Sequence, residues 1–351
     1  MAGERRVLVT GSSGLVGSAV VREFGRRGWN ITGIDGGQRA EYFGEGGDTT
    51  AAGRALEAEM GGRLTWWRTD IAADNLWKAF RNTKGFDAVV HCAAQPSHDW
   101  AREHVWRDWQ VNATATLRLL ECTQQWCPEA PFVFLSTNKV YGDAVNDLAM
   151  VELETRYDWA DGSRDGIDET MRMDRSLHSL FGVSKAAADL LVQEYGRTFG
   201  LRTTCLRCGC LTGEGHAGVA LHGFLSYLTR CAVGGRRYTV IGHGGKQVRD
   251  QLHAEDVARA CWASVERPGT GAVYNLGGGR ANSVSVLEAI GRLGELGHRV
   301  EWTYEERPRL GDHAIWITDT GKFRREHEGW RAEVGLDEIL ERLVRGAVDG
   351  A

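Results

Sequence analysis

Val7-Leu-Val-Thr-Gly11-Ser-Ser-Gly14-Leu-Val-Gly17 is the stretch that decides the fold. It reads as a buried strand, a glycine-rich turn and the opening of a helix. Gly11 permits the tight turn. Gly14 lets the backbone approach a pyrophosphate at the positive end of the helix, and Gly17 allows close helix–strand packing. Ser13, Leu15 and Val16 complete the turn on which a dinucleotide would lie. The glycine spacing gains weight from its setting, because a second strand, Asn30–Asp35, follows and ends on a carboxylate. Asp35 there can accept hydrogen bonds from an adenosine ribose diol and repel a 2′-phosphate. That favours NAD over NADP, with Arg39 keeping the phosphorylated form as the alternative.

Outward from this motif, strands alternate with helices. Arg6–Thr10, Leu64–Thr69, Ala88–His91, Pro131–Ser136 and Arg202–Arg207 read as further strands of the same set, and Gly14–Arg27 and Trp106–Trp126 as helices. Arg39–Gly62 is a glycine-rich, acidic insertion with one short helix around Ala51–Met60. This alternation predicts an α/β fold, a Rossmann-type doubly wound parallel sheet. Asp143–Asp174 is polar and poorly periodic and reads as a long surface excursion. After Arg207 the elements shorten. Ser285-Val-Leu-Glu288 fits a capping box, and Leu336–Val348 a terminal amphipathic helix. The expected division is a dinucleotide-binding domain over 1–207 and a smaller substrate-binding lobe over 208–351, with a late strand returning to the sheet.

Composition narrows the function classes. With 42% hydrophobic and 25% charged residues the chain is an ordinary globular sequence. The net charge of −5 and the absence of a basic tract argue against a nucleic-acid partner. No apolar signal segment opens the chain and no apolar run could span a bilayer, so a cytoplasmic protein without membrane contact is expected. Eight cysteines without a Cys-x-x-Cys pair point to reduced thiols and no metal site. Asp70 and Ile71 follow the third strand, where an acidic side chain can meet an adenine amine or merely cap the strand. Ala93, Ala94 and Gln95 end the fourth strand with small residues that let a dinucleotide lie against backbone. Asn112, within a helix, can tie that helix to the sheet or act indirectly in catalysis.

The arrangement resembles the extended short-chain dehydrogenase/reductase family, the NAD-dependent sugar-nucleotide epimerases and dehydratases. The marks are Thr10-Gly-Ser-Ser-Gly-Leu-Val-Gly17, His91-Cys-Ala-Ala94, Leu135-Ser-Thr-Asn-Lys-Val-Tyr-Gly142, Lys185 in its helix, and Leu206-Arg207. Ser136-Thr-Asn-Lys-Val-Tyr-Gly-Asp143, His178-Ser-Leu-Phe-Gly-Val-Ser-Lys185, Gly209-Cys-Leu-Thr-Gly213, Gly245-Lys-Gln-Val-Arg-Asp250 and Tyr274-Asn-Leu-Gly-Gly-Gly279 look more narrowly like the CDP-paratose 2-epimerase (CDP-tyvelose epimerase) group. The resemblance implies bound NAD, a nucleotide-sugar substrate with a CDP-sugar favoured, and a homodimer through the helices Trp106–Trp126 and Ser179–Phe199. It places Ser136 beside the cofactor and Thr137 against the reacting hydroxyl. Lys185 takes the place of the lysine that binds the nicotinamide ribose and lowers the pKa of a catalytic tyrosine.

That tyrosine's position is held by Phe181, which has no ionisable hydrogen. Three explanations stand side by side: another group moves the proton, substrate hydroxyls, Thr137 and water relay it, or the chain binds without reacting. Cys208 and Cys210 are the first candidates, as thiols whose pKa a nearby Lys185 or Arg207 would depress. His178 and Tyr141 rank below them. The resemblance sets Arg249 and Arg309 at the substrate diphosphate, with His222 and Gln247 lining the same pocket. Asn138 occupies the place where dehydratases add an acidic residue. The leading expectation is epimerisation at C2 by transient oxidation and hydride return. A C4 epimerase or 4,6-dehydratase is the alternative enzyme, and a non-catalytic NAD and nucleotide-sugar binder the alternative of another class.

Overall fold

The computed structural model describes residues 4–219, 222–307 and 311–349. Seven parallel strands form the central sheet in the order Leu64–Trp67, Asn30–Ile34, Arg6–Thr10, Ala88–His91, Phe132–Thr137, Thr203–Cys208 and Ala272–Leu276. Side chains on a strand alternate between faces. Val7 and Val9 therefore enter one core while Leu8 enters the other. The first core is closed by the helices Leu15–Arg26 and Ala254–Glu266, where Phe24, Trp29 and Trp262 meet edge to face. The second is closed by Trp77–Thr83, Ala115–Trp126 and Ser179–Phe199. Strand order reverses between Arg6–Thr10 and Ala88–His91, and the crevice beyond their carboxyl ends is where such a sheet takes a ligand.

The later residues build a lobe above that crevice. Its hub is the buried strand Val248–His253, which pairs with Ser283–Ser285, Ile315–Trp316 and Cys210–Thr212. A separate apolar core joins the helices Phe224–Val233, Val286–Glu295 and Leu336–Asp349 through Leu225, Leu228, Leu293 and Ile339. The capping box is present: Ser285 Oγ accepts from the Glu288 amide at 3.0 Å, and the Ser285 amide donates to Glu288 at 2.9 Å. The chain does not leave the sheet for good at Arg207, since Ala272–Leu276 returns as the seventh strand.

Two segments differ from the sequence reading. Trp106–Trp126 is not one regular helix. Val105–Trp109 runs into a π-helical turn at Gln110–Thr114 before Ala115–Trp126. Such turns often accompany side chains that bond outside their helix, and Asn112 does so here. Asp143–Asp174 is more than a surface excursion. It holds the hairpin Met150–Glu152 and Tyr157–Trp159 and buries Trp159 and Ile167 in a core with Tyr141 and Trp316. Few apolar residues anchor it, so its periodicity was weak. Helices Trp77–Thr83 and His98–Glu103 are too short to show a pattern. Among the described residues no helix is long and apolar enough to cross a membrane.

Gly196 tests the helix–sheet contact. Gly→Ala inside a helix ordinarily stabilises by about 1 kcal/mol. A Cβ here would stand 2.3 Å from the Gly271 nitrogen and 2.4 Å from Thr203 Oγ1, with backbone on one side that cannot turn away. The clash outweighs the propensity, and Gly196→Ala is expected to destabilise by about 1–3 kcal/mol. Chemical denaturation should show the loss, and a gain in stability would refute this packing.

Candidate active site

A cleft of about 480 Å³ runs from the glycine turn, past the carboxyl ends of the strands, to the hub strand of the lobe. Its floor is the turn itself. Gly11 has φ +66°, and a Cβ there would lie 2.9 Å from the Ala93 backbone. At Gly17 a Cβ would lie 2.0 Å from the Gly11 carbonyl oxygen. Both positions need glycine for close approach. Gly14, Leu15, Val16 and Gly17 face the cleft at the helix amino terminus, where unpaired amides favour an anion. Ser13 lies behind the turn. Its amide donates to Asp35 Oδ2 at 3.1 Å, and the Gly37 amide donates to Oδ1 at 2.9 Å. Asp35 is thereby fixed at the cleft wall.

Arg39 also reaches the cleft, but its guanidinium turns to the lobe. It donates to the Ala217 carbonyl at 2.9 Å, stands 3.4 Å from His222 Nδ1 and lies over the Phe43 ring. Burial, then Arg230, pulls its pKa to about 10. Asp70 and Ile71 line the next part of the wall, where Asp70 pairs with Arg107 and accepts from the Ala72 amide at 2.8 Å. Ala93 and Ala94 line it as well. Gln95 and Asn112 stand behind it. The Gln95 amide donates to Asn112 Oδ1 at 2.9 Å, and Asn112 Nδ2 donates to the Gln95 carbonyl at 3.0 Å and to Ser184 Oγ at 3.1 Å. Asn112 thus ties its π turn to the sheet edge and to the long helix Ser179–Phe199.

The reactive end lies where that helix crosses the strand Phe132–Thr137. Lys185 is 2% exposed, donates to the Leu135 carbonyl at 2.8 Å and lies over the Phe134 ring. Burial pulls its pKa to about 8, while Asp189, one turn on, resists the fall. Asp189 accepts from Ser136 Oγ at 2.6 Å and from Arg207 at 2.8 and 3.1 Å. Ser136, Thr137, Asn138 and Phe181 line the cleft beside Lys185. Thr137 Oγ1 accepts from the Lys139 amide at 3.2 Å and is 3.3 Å from Asn138 Oδ1.

The two thiols do not carry the expected electrostatics. Burial pushes Cys208 up to about 12 and Cys210 up to about 11, with Lys185 and Arg249 respectively opposing the rise. Desolvation outweighs the cations, and Arg207 is committed to Asp189 and Tyr141. Both stay thiols near neutral pH. Tyr141 donates to Asn275 Oδ1 and is bonded by Arg207, outside the cleft. His178 turns Nδ1 to the Ser176 carbonyl and Nε2 to the Val140 carbonyl. Neither offers a free base.

On the lobe side, Gln247 just before the hub strand and Arg249 and Gln251 on it lie at alternate positions and face the cleft. Arg249 donates to Asp312 at 2.5 Å and to the Val248 carbonyl. Burial raises Asp312, but Arg249, Lys139 and His313 more than offset it and hold that carboxyl below its usual range. Gln247 donates to the Ile241 carbonyl at 3.0 Å, which leaves its Oε1 buried without a partner. His222 lines the cleft against Phe43 and His216, kept neutral by burial and Arg39. Arg309 lies outside the described residues. His98, also in the cleft wall and in edge contact with Phe181, escaped the sequence reading. Its position three residues after Gln95, just beyond the end of the fourth strand, was the available signal.

Over residues 7–277 the sequence matches the NAD dependent epimerase/dehydratase family. It is 30% identical to a CDP-paratose 2-epimerase of Salmonella typhi over 265 residues, 73% of this chain and 76% of that one. It is 28% identical to a dTDP-glucose 4,6-dehydratase of Neisseria meningitidis serogroup B over 368 residues, 98% and 94% of the two chains. Among solved structures, MoeE5 in complex with UDP-glucuronic acid and NAD superposes with a TM-score of 0.75 at 26% identity, covering 99% of this chain and 100% of that one. The chain belongs to the NAD-dependent epimerase/dehydratase family. It is an enzyme of the sugar-nucleotide class, and its cofactor is NAD.

The cleft fits that cofactor, because the tight glycine turn brings the helix amino terminus and the Asp35 carboxylate to one wall of the same crevice, as a dinucleotide requires. Bound NAD supplies a reversible hydride acceptor. Gly14 to Gly17 would hold its pyrophosphate, Asp35 its adenosine ribose and Lys185 its nicotinamide ribose. Lys185 is also placed to favour negative charge on a reacting oxygen.

Two outcomes follow from these environments. Lys185 is charged below about pH 8 and neutral above it, so reduction of bound NAD should fall as pH rises through that value. Lys185→Met should abolish that limb and loosen NAD, read by stopped-flow absorbance and by cofactor content after denaturation. The double variant Cys208→Ala, Cys210→Ala should keep turnover within about threefold, since neither thiol is ionised at neutral pH. A hundredfold loss, of the order expected on removing a general base, would restore the thiol mechanism.

Proposed function

We propose that this chain epimerises a nucleoside-diphosphate sugar at C2 by transient oxidation to the ketosugar and return of the same hydride. The observation that carries the reading is the continuous cleft. It joins the glycine cradle and Lys185 at one end to Gln247, Arg249 and Gln251, at and just before the hub strand, at the other. A cofactor and a nucleotide sugar can meet head to head there. Arg249, steadied by Asp312, suits a diphosphate, since a guanidinium fork bonds two oxygens. The unpartnered Gln247 Oε1 suits a pyrimidine edge that donates a hydrogen. Similarity to a CDP-paratose 2-epimerase favours cytidine and C2.

The dehydratase reading has support in the longer alignment with a dTDP-glucose 4,6-dehydratase. Against it stands Asn138 beside Thr137. An amide cannot donate the proton that elimination of water requires, and no carboxylate replaces it at that position. A C4 epimerase uses the same oxidation chemistry and differs only in how the sugar lies.

The reading includes a cytoplasmic homodimer. Trp106, Leu190 and Phe199 are 69, 50 and 52% exposed on the helices Val105–Trp109 and Ser179–Phe199. An apolar face of this kind suits a second copy of the chain. Sedimentation should give about twice the chain mass, as a symmetric pair requires.

The decisive experiment is incubation of the NAD-loaded protein with CDP-, UDP-, GDP-, ADP- and dTDP-sugars, with NMR of the products. A C2 epimer from a CDP-sugar is expected. A 4-keto-6-deoxy product would replace this reading with the dehydratase. Thr137→Val should lower turnover about 10²-fold or more with NAD content unchanged, since the contact to the reacting hydroxyl and the bond from the Lys139 amide are lost while Lys185 and the glycine turn are untouched.

A further inference from the structure

Gln251 is 1% exposed, and its Nε2 is buried without a hydrogen-bond partner among the described residues. It nevertheless lines the cleft. Burying an amide donor without a bond is costly, and roughly nine in ten or more of the buried polar groups in native proteins have a partner. A donor left open in the wall of a ligand cleft is free for the ligand. We propose that Gln251 is a specificity-determining residue, which bonds the C4 hydroxyl of the sugar and so leaves C2 for oxidation. The proposal rests on the C2-epimerase reading.

The place of Gln251 along the substrate follows from the strand on which it stands. Gln247, Arg249 and Gln251 lie at alternate positions, and side chains on one face of a strand recur about every 6.6 Å. In the epimerase reading Gln247 meets the base and Arg249 the diphosphate. The next position along that line falls to the sugar. The strand then runs towards the cofactor. His253, its last residue, and Leu15 of the glycine turn both close on Gly213, standing 3.2 and 3.3 Å from the point a Cβ there would take. Gln251 is also tied to the reactive end. It pairs in register with Cys210, two residues after Cys208, and Cys208 pairs with Thr137. All four residues line the cleft.

Chemistry selects the partner. Arg249, steadied by Asp312, already serves the charged part of the substrate. A neutral amide suits a neutral group. A hydroxyl satisfies it in either sense, accepting from Nε2 or donating to Oε1. Cys210 beside it is kept a thiol by burial, and a thiol sulfur accepts too weakly to hold the amide. Of the ring hydroxyls, the one at C4 stands across the ring from C1, the carbon that carries the diphosphate. It therefore reaches farthest beyond Arg249. With that oxygen held on the lobe wall, C2 is left to Thr137 and Lys185 on the sheet wall. The hydroxyl that a C4 epimerase or a 4,6-dehydratase oxidises is the one this amide keeps away from Lys185.

The test has two arms, and the first needs no sugar. In NAD-loaded protein, Gln251→Met exchanges an unbonded buried amide for an apolar side chain of similar length. The variant should melt at or above the native temperature. A fall of more than about 2 °C shows that the amide is bonded within the protein and overturns the proposal. The second arm follows single-turnover reduction of bound NAD with CDP-, UDP- and dTDP-glucose and with their 4-deoxy counterparts, in the native chain and in Phe181→Tyr. With the nucleotide that reacts, the 4-deoxy sugar should reduce NAD at least about tenfold more slowly, because it leaves the amide unpaired. Gln251→Met should slow the parent sugar by about the same factor with NAD content unchanged, and should treat the two sugars alike within about threefold. If the native chain treats them alike, or if Gln251→Met keeps the native preference, the proposal alone falls. If the parent sugar reacts and the 4-deoxy sugar is inert even to Gln251→Met, oxidation is at C4, and the C2 reading falls with the proposal. If none of the sugars is oxidised by the native chain or by Phe181→Tyr, the epimerase reading itself falls.

Discussion

The buried carboxylate of Asp189 holds the reactive end of this molecule together. It receives Ser136 from one central strand, Arg207 from the next and Gln193 from its own helix, and it lies one turn beyond Lys185. Each partner covers a lone pair that would otherwise be stranded in an apolar layer. Removing one side of such a buried pair typically costs about 3–5 kcal/mol. The bond to Ser136 locks the strand that ends in Thr137, and the bonds to Arg207 lock the strand that ends in Cys208. The same carboxylate sustains part of the charge on Lys185 that burial would remove. Position and ionisation at the site thus share one origin.

Much of the architecture was legible because its signals are local. The glycine turn announces itself through contacts that no side chain can share, at Gly11 and Gly17. The strands announce themselves as apolar runs, since both faces of a parallel sheet are covered. The capping box at Ser285 and Glu288 is a three-residue pattern and is present as read. Less legible were features set by contacts distant in sequence. The π turn at Asn112 depends on Gln95 and Ser184. The order in Asp143–Asp174 depends on a few buried anchors, Trp159 and Ile167 among them, that meet residues from the far end of the chain. Thiol ionisation could not be read from neighbouring cations alone, because burial decides its sign. His98 gains its setting only when its loop meets the start of the long helix, 81 residues later in the chain.

The hub strand shows how the lobe sorts chemistry with a simple alternation. Gln247, Arg249 and Gln251 face the cleft. Between them Asp250 points inward and accepts from the Gly279 and Thr318 amides. The outward set is left for a ligand, and the inward carboxylate fastens the loops that close the lobe. A slip of one residue would exchange the two sets. Pairing on both sides, to Ser283–Ser285 and to Cys210–Thr212, holds that register.

The return of Ala272–Leu276 to the sheet has a consequence for how the chain is made. Synthesis proceeds from the amino terminus, and the six earlier central strands emerge well before the seventh. Until it arrives, Thr203–Cys208 is an edge strand with unsatisfied backbone groups, open to pairing with another nascent chain. Arg207 and Asn275, register partners on these two strands, also share the Tyr141 hydroxyl, and that contact forms only once both strands are in place. The glycine turn and the strands beside it, Arg6–Thr10 and Asn30–Ile34, are therefore made long before the strand that covers this edge.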